Sequence, residues 1–154
     1  MNAIRFLKQQ HEEAKQAFAR IEQASPEQRG ELWKHLSPEL KLHERVEEEH
    51  VYGPAAAEAK ADDTLADWPD DHHEQVEEAE QLIVRIDQAP AADPQWLQQV
   101  QKLKSALEEH IQLEEQEIWP RIERTWDAAR LEQAGAQMEA MKREASAAAG
   151  SGRR

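Results

Sequence analysis

Two stretches of the chain repeat one another: 40–54 reads LKLHERVEEEHVYGP and 106–120 reads ALEEHIQLEEQEIWP. Each places a histidine four residues before a glutamate, His43 before Glu47 and His110 before Glu114. On a helix that spacing puts both side chains on one face, one turn apart, where they can reach a single cation. In each copy a further glutamate, an apolar residue, an aromatic residue and a proline follow in the same order. The chain is therefore constrained to present two equivalent ligand-bearing helices to each other.

Composition narrows the fold that can do this. A length of 154 residues supports one domain with one core. A third of the residues are charged and only five are glycine, with Ala, Leu, Glu, Gln and Arg abundant, which is a helical composition. The formal charge of −13 disfavours nucleic acid and anionic membrane as partners, because both require a basic face. There is no apolar run long enough to span a bilayer, and the start, MNAIRFLKQQHEE, lacks a leader-like segment, so a cytoplasmic protein is expected. With no cysteine, any metal must be held by imidazole and carboxylate.

The apolar periodicity predicts five helices. The first runs from about residue 2 to 24, with Ile4, Leu7, Ala14, Phe18 and Ile21 on one stripe and His11 at its missing step. Ser25 and Pro26 cap the second, with Gln28 placed for a capping box, and Leu36, Leu40, His43, Glu47 and His50 share its stripe. Ser37-Pro38 is expected to kink or restart this helix, and Gly53-Pro54 to end it. The loop ADDTLADWPDD leads to a third helix over about 70–88, carrying Val76, Ala79, Ile83 and Ile86. The fourth, about 95–119, carries Trp96, Val100, Leu103, Leu107, His110 and Glu114; the fifth, about 126–145, carries Leu131, Ala134, Met138 and Met141. Residues 147–154, rich in small residues, are expected to be flexible.

Short turns between such helices predict an all-α, antiparallel up-and-down four-helix bundle over about 1–120 with an additional C-terminal helix. Residues on adjacent antiparallel helices are level when their sequence midpoint falls in the connecting turn. For His11 and His43 the midpoint is residue 27; for His73 and His110 it lies between 91 and 92; both fall in or next to predicted turns. Burying so many ionisable groups at one level without a partner would cost several kcal/mol each, against a total stability of about 5–15 kcal/mol for a domain. A cation in the layer resolves that conflict.

A lone His on the first helix, HxxxE on the second, His on the third and HxxxE on the fourth resembles the hemerythrin-like, or HHE cation-binding, domains, over about residues 1–120 of one domain spanning 1–146. The resemblance implies a non-haem di-iron centre with His11, His43, His73 and His110 as terminal ligands and Glu47 and Glu114 bridging two iron ions. Mixed imidazole and carboxylate donors suit iron or manganese, whereas zinc prefers four ligands. The oxygen-carrying members have a further histidine one turn after the first on the third helix; this chain has Glu77 there, a seventh ligand candidate with Glu44 as the alternative. Either carboxylate favours the ferric state and shifts expectation from reversible oxygen carriage towards redox chemistry.

On the third helix, periodicity allows His72 or His73 as the ligand; the match of the residues after His11 with those after His73 favours His73. His50, one turn past Glu47, is an outer neighbour candidate, and Tyr52, equivalent in the repeat to Trp119, is a hydrogen-bond donor candidate beside the site. The function expected is to bind, sense or reduce a small diatomic or peroxide species, with peroxide- or oxygen-reducing turnover as one form of it. The alternatives are iron handling or storage, and a metal-free interaction module in which Met138 and Met141 of the fifth helix meet a protein partner or a second copy.

Overall fold

The computed structural model describes residues 1–59 and 61–151, with side chains to 148. The helices are α1 (Ala3–Gln23), α2 (Pro26–Glu47), α3 (Gly53–Glu58), α4 (Asp63–Gln88), α5 (Pro94–Leu113), α6 (Trp119–Thr125) and α7 (Ala128–Ser151). A π-helical turn, Glu48–Tyr52, joins α2 to α3 without a break, and a second, Glu114–Ile118, joins α5 to α6. The result is five rods, with no strand among the described residues. No described helix is long and apolar enough to cross a membrane.

Local chemistry sets most of the helix ends. The Asn2 side chain accepts from Ile4 N at 2.8 Å, Asp62 from Leu65 N at 3.2 Å and Asp93 from Gln95 N at 2.9 Å, each satisfying a first-turn donor. Ser25 is the N-cap of α2 with Pro26 at the first position, but its side chain makes no capping bond, so the capping box with Gln28 does not form. Pro38 lies within an unbroken α2. The carbonyl it deprives of a partner is that of Lys34, an exposed residue, where water can replace the missing N–H.

Three other boundaries depart from expectation. The rods run through Gly53-Pro54 and Pro120 because the preceding π turns widen the backbone: Gly53 and Trp119 donate N–H five residues back, to the Glu48 and Glu114 carbonyls. The proline that follows lacks an N–H just where the pattern returns to four. The segment expected as a loop is helical from Asp63 onward, with Pro69 inside α4. At the C-terminus α7 extends to Ser151, past the end expected near 145, and residues 152–154 of the expected flexible tail lie outside the described residues.

Two apolar clusters form the core. One gathers Phe18, Ile21, Trp33, Leu36, Ile83, Trp96 and Leu103 near the α1–α2 and α4–α5 turns; Trp33 Nε1 donates to Asp87 at 2.7 Å and Trp96 Nε1 to the Ile86 carbonyl at 3.1 Å. The other gathers Phe6, Leu7, Val46, Tyr52, Trp68, Trp119 and Ile122 with Leu131 and Met138 of α7. Burial of each large side chain contributes roughly 1.5–3 kcal/mol. The apolar stripe of α7 that the sequence offers to a partner or second copy is covered by the chain's own bundle, with Ala134 and Met138 fully buried. Between the two clusters α1, α2, α4 and α5 each contribute a buried histidine: His11, His43, His72 and His110.

Candidate metal centre

The four histidines come from helix stripes that are apolar above and below them. His11 follows Leu7 and precedes Phe18, and His43 lies between Leu36 and Val46. His72 lies between Trp68 and Val76, and His110 between Leu103 and Ile118. Glu47 and Glu114, at the two π turns, are fully buried in the same layer. His11 Nε2 and His43 Nε2 face each other at 3.1 Å, so the two helices are level there, as the midpoint argument requires. His43 Nε2 is in close contact with Glu47 Oε1, and His110 Nε2 is 3.0 Å from Glu114 Oε1. His11 Nε2 lies 3.4 Å from Glu114 Oε1 and 4.0 Å from Glu47 Oε1, so both glutamates reach across the helices.

The structure corrects the choice on the third helix. His73 and Glu77 stand 3.7 Å apart on the outer face, 66% and 61% exposed, and neither reaches the layer. His72 is fully buried, with Nε2 3.6 Å from Glu47 Oε2 and 2.9 Å from Glu44 Oε2. The reason is helical phase. Because α4 starts at Asp63, Leu65 and Trp68 belong to its buried stripe, and His72 follows Trp68 and precedes Val76 by four residues each. The internal residue match that favours His73 rests on a helix starting too late to contain these two markers.

Two groups emerge in which donor atoms lie within 4.8 Å of one another: His11, His43, Glu47 and Glu114; and Glu44, Glu47, His72 and His110. Glu47 is common to both. Of the two extra carboxylates considered in sequence, Glu44 is brought in and Glu77 is not. His50 is half-buried on its π turn and has no hydrogen bond or ion pair with the cluster among the described residues. Tyr52 donates its O–H to Glu114 Oε2 and accepts from Trp119 Nε1 at 2.8 Å, so its donor serves a carboxylate of the layer.

Sequence reasoning missed the residues behind the histidines. Gln10 Oε1 accepts from His43 Nδ1 at 2.6 Å, and Gln75 Oε1 accepts from His110 Nδ1. Glu48 Oε1 is 3.3 Å from His72 Nδ1, and Glu115 Oε1 is 3.7 Å from His11 Nδ1. No motif marks Gln10 or Gln75; Glu48 and Glu115 were visible only as equivalent members of the repeat. Aromatic rings close the layer, with Trp119 stacked on His11 at 4.8 Å and Trp68 on His110 at 6.2 Å.

The electrostatics are those of a crowded buried site. Burial, together with neighbouring His11, lowers the His43 imidazole to about 4, against the pull of Glu44. Burial pushes the Glu47 carboxyl well above the usual carboxylate range, and the charge of Glu114 acts in the same direction. Glu114 is held well below that range, against burial, by contact with Glu47 and the His110 imidazole. Burial raises the Tyr52 hydroxyl well above its ordinary value, reinforced by Glu114 and Glu47.

Among the described residues, eight buried atoms of the layer have no hydrogen-bond partner: His11 Nδ1, Glu44 Oε2, both Glu47 oxygens, both His72 nitrogens, His110 Nε2 and Glu114 Oε1. Even the 2.9 Å approach of His72 to Glu44 lacks hydrogen-bond alignment. The unpartnered atoms that face inward, on Glu44, Glu47, His72, His110 and Glu114, are imidazole nitrogens and carboxylate oxygens, a donor set that fits cations.

Comparison with known proteins points to a cation-binding family. Residues 2–122 match the family described as Hemerythrin HHE cation binding domain. A crystal structure of a Hemerythrin HHE cation binding domain-containing protein from Mycobacterium kansasii superimposes with a TM-score of 0.75 at 26% identity, over 93% of this chain and 86% of that one. No curated protein sequence matches.

Proposed function

The chain belongs to the hemerythrin HHE cation binding family, and on that premise we propose that it holds two iron ions and uses them to bind, sense or reduce a small oxygen or nitrogen species. In this reading His11, His43, Glu47 and Glu114 hold one ion, and Glu44, Glu47, His72 and His110 the other. The observation that carries the reading is the convergence of unpartnered donor atoms of Glu44, Glu47, His72, His110 and Glu114 in a layer with apolar clusters on both sides. Leaving them unsatisfied would cost several kcal/mol each.

Two irons held by these residues, with Glu47 common to both groups, would supply open coordination positions and changes of valence that the side chains lack. The protein's part is orientation and exclusion. Gln10 and Gln75 accept from the Nδ1 side of His43 and His110, leaving each Nε2 turned inward. Tyr52, itself steadied by Trp119, fixes Glu114. A cavity of about 60 Å³, walled in part by Phe18, Leu36, Leu40, Leu107 and Ile111, opens on His11, His43 and His110. Its small size and apolar wall suit a diatomic or peroxide-sized ligand. The Glu44 carboxylate beside His72 favours ferric iron, which supports redox chemistry over reversible oxygen carriage.

Metal analysis and optical spectroscopy test this together. Protein produced with adequate iron should contain about two irons per chain, and its oxidised spectrum should change on adding azide or peroxide. A chain free of transition metal overturns the reading; bound iron whose spectrum ignores both ligands leaves iron storage as the role.

A further inference from the structure

A second cavity, of about 260 Å³, lies between α4 and α5 and meets the layer at Glu44 and His110. Ala79 and Ala106 both line it, and two alanines leave a gap there that longer side chains would fill. Its wall has Glu44, Leu107 and His110 in common with that of the apolar cavity and no other residue.

The two walls differ in charge. Glu44, Glu78 and Glu109 line the second cavity, with no lysine or arginine among its described lining residues, whereas Lys15, Lys104 and Lys142 line the first. Glu78 and Glu109 are exposed, and neither has an ion-pair partner among the described residues. An acidic wall by itself marks no site; this one leads to unpartnered donors. His110 is 7% exposed and its Nε2 has no hydrogen-bond partner, and Glu44 leaves Oε2 unpartnered. Both belong to the donor group completed by Glu47 and His72.

Charge decides which path a cation takes. Moving an ion from water into hydrocarbon costs far more than moving a neutral diatomic molecule, and a carboxylate-lined passage offsets part of that cost while raising the local cation concentration. We propose that cations load the layer through the acidic cavity between α4 and α5, drawn in by Glu78 and Glu109 and delivered to Glu44 and His110, while the apolar cavity is left to the small ligand. The inference rests on the two-cation reading above, and its test separates the two.

The test follows cobalt(II) entering the metal-stripped full chain by stopped flow, through the visible absorption of the bound ion. At low ionic strength the double variant Glu78→Lys, Glu109→Lys should load about tenfold or more slowly than the wild type and reach the same final cobalt content. The control Glu77→Lys, Glu80→Lys makes the same change of charge on α4 outside the cavity, and should load near the wild-type rate. Once loaded, both double variants should bind azide at one rate, because azide uses the other cavity. Equal loading rates in all three proteins, equal slowing in both double variants, or a lower final content in the first overturns the acidic route while leaving the two cations in place. Azide rates that differ between the double variants overturn the separation of the two routes. Failure of the wild type to bind cobalt defeats the two-cation reading itself, and the route with it.

Discussion

Gln10 holds His43 from behind: its side-chain oxygen accepts the Nδ1–H at 2.6 Å, so in the neutral ring the lone pair is on Nε2, facing His11 and Glu47. The same relation joins Gln75 to His110 on the other hairpin. These bonds select one tautomer and one ring orientation, which is what an imidazole ligand needs. Gln10→Leu and Gln75→Leu should each leave the helical content unchanged and lower metal affinity by about 10- to 100-fold. Competition with a coloured chelator measures this, and unaltered affinity would show the glutamines to be packing only.

The third helix gives a sharper test of ligand identity. His72→Ala removes a buried nitrogen donor and should lower bound metal below that of the wild type. His73→Ala and Glu77→Ala alter an exposed pair and should leave metal content and air oxidation as they were. If His73→Ala loses metal and His72→Ala does not, the placement of α4 is wrong.

How much of this was legible depended on the continuity of each stripe. On α1, α2 and α5 apolar residues flank the histidine on both sides in sequence, so phase is fixed locally, and the four-helix bundle, His11, His43, His110 and the two glutamates follow from spacing. On α4 the phase is carried by Leu65 and Trp68, embedded among Asp and Pro that read as a loop; Asp62 serves instead as the N-cap of a helix that includes them. Glu44 is adjacent to His43 in sequence and meets His72 only through the packing of α2 against α4, which no single-helix pattern encodes. The π turns were hidden for a similar reason, since Gly-Pro and Trp-Pro normally stop an α-helix.

Gly135 ties the chain start to α7. A Cβ there would lie 1.7 Å from the Met1 carbonyl oxygen, and the Met1 ammonium sits 3.4 Å from Glu132 and 3.7 Å from Glu139 on the same helix. In an open helix Gly→Ala stabilises by about 1 kcal/mol. Here the sign should reverse, with Gly135→Ala losing about 1–3 kcal/mol as backbone is displaced. A urea midpoint above that of the wild type would show that the N-terminal segment is not packed on α7.

The acid response of the metal-free protein should report on His43. Its folded value near 4 lies below the ordinary 6.5, because burial disfavours the charged ring. Between those two values the unfolded chain binds a proton that folded His43 refuses, so more protons are bound in the unfolded state and stability falls as the pH is lowered. The slope from this one group approaches roughly 1.4 kcal/mol per pH unit within the window and vanishes above it. Glu47 and Glu114 are shifted in opposite directions, and both remain when His43 is replaced. Metal-stripped His43→Gln should therefore lose stability less steeply than metal-stripped wild type from pH 6.5 down to about 4, by chemical denaturation at a series of pH values. Superimposable profiles would mean that His43 is charged in the folded layer, and that its desolvation does not set the acid stability of the empty site.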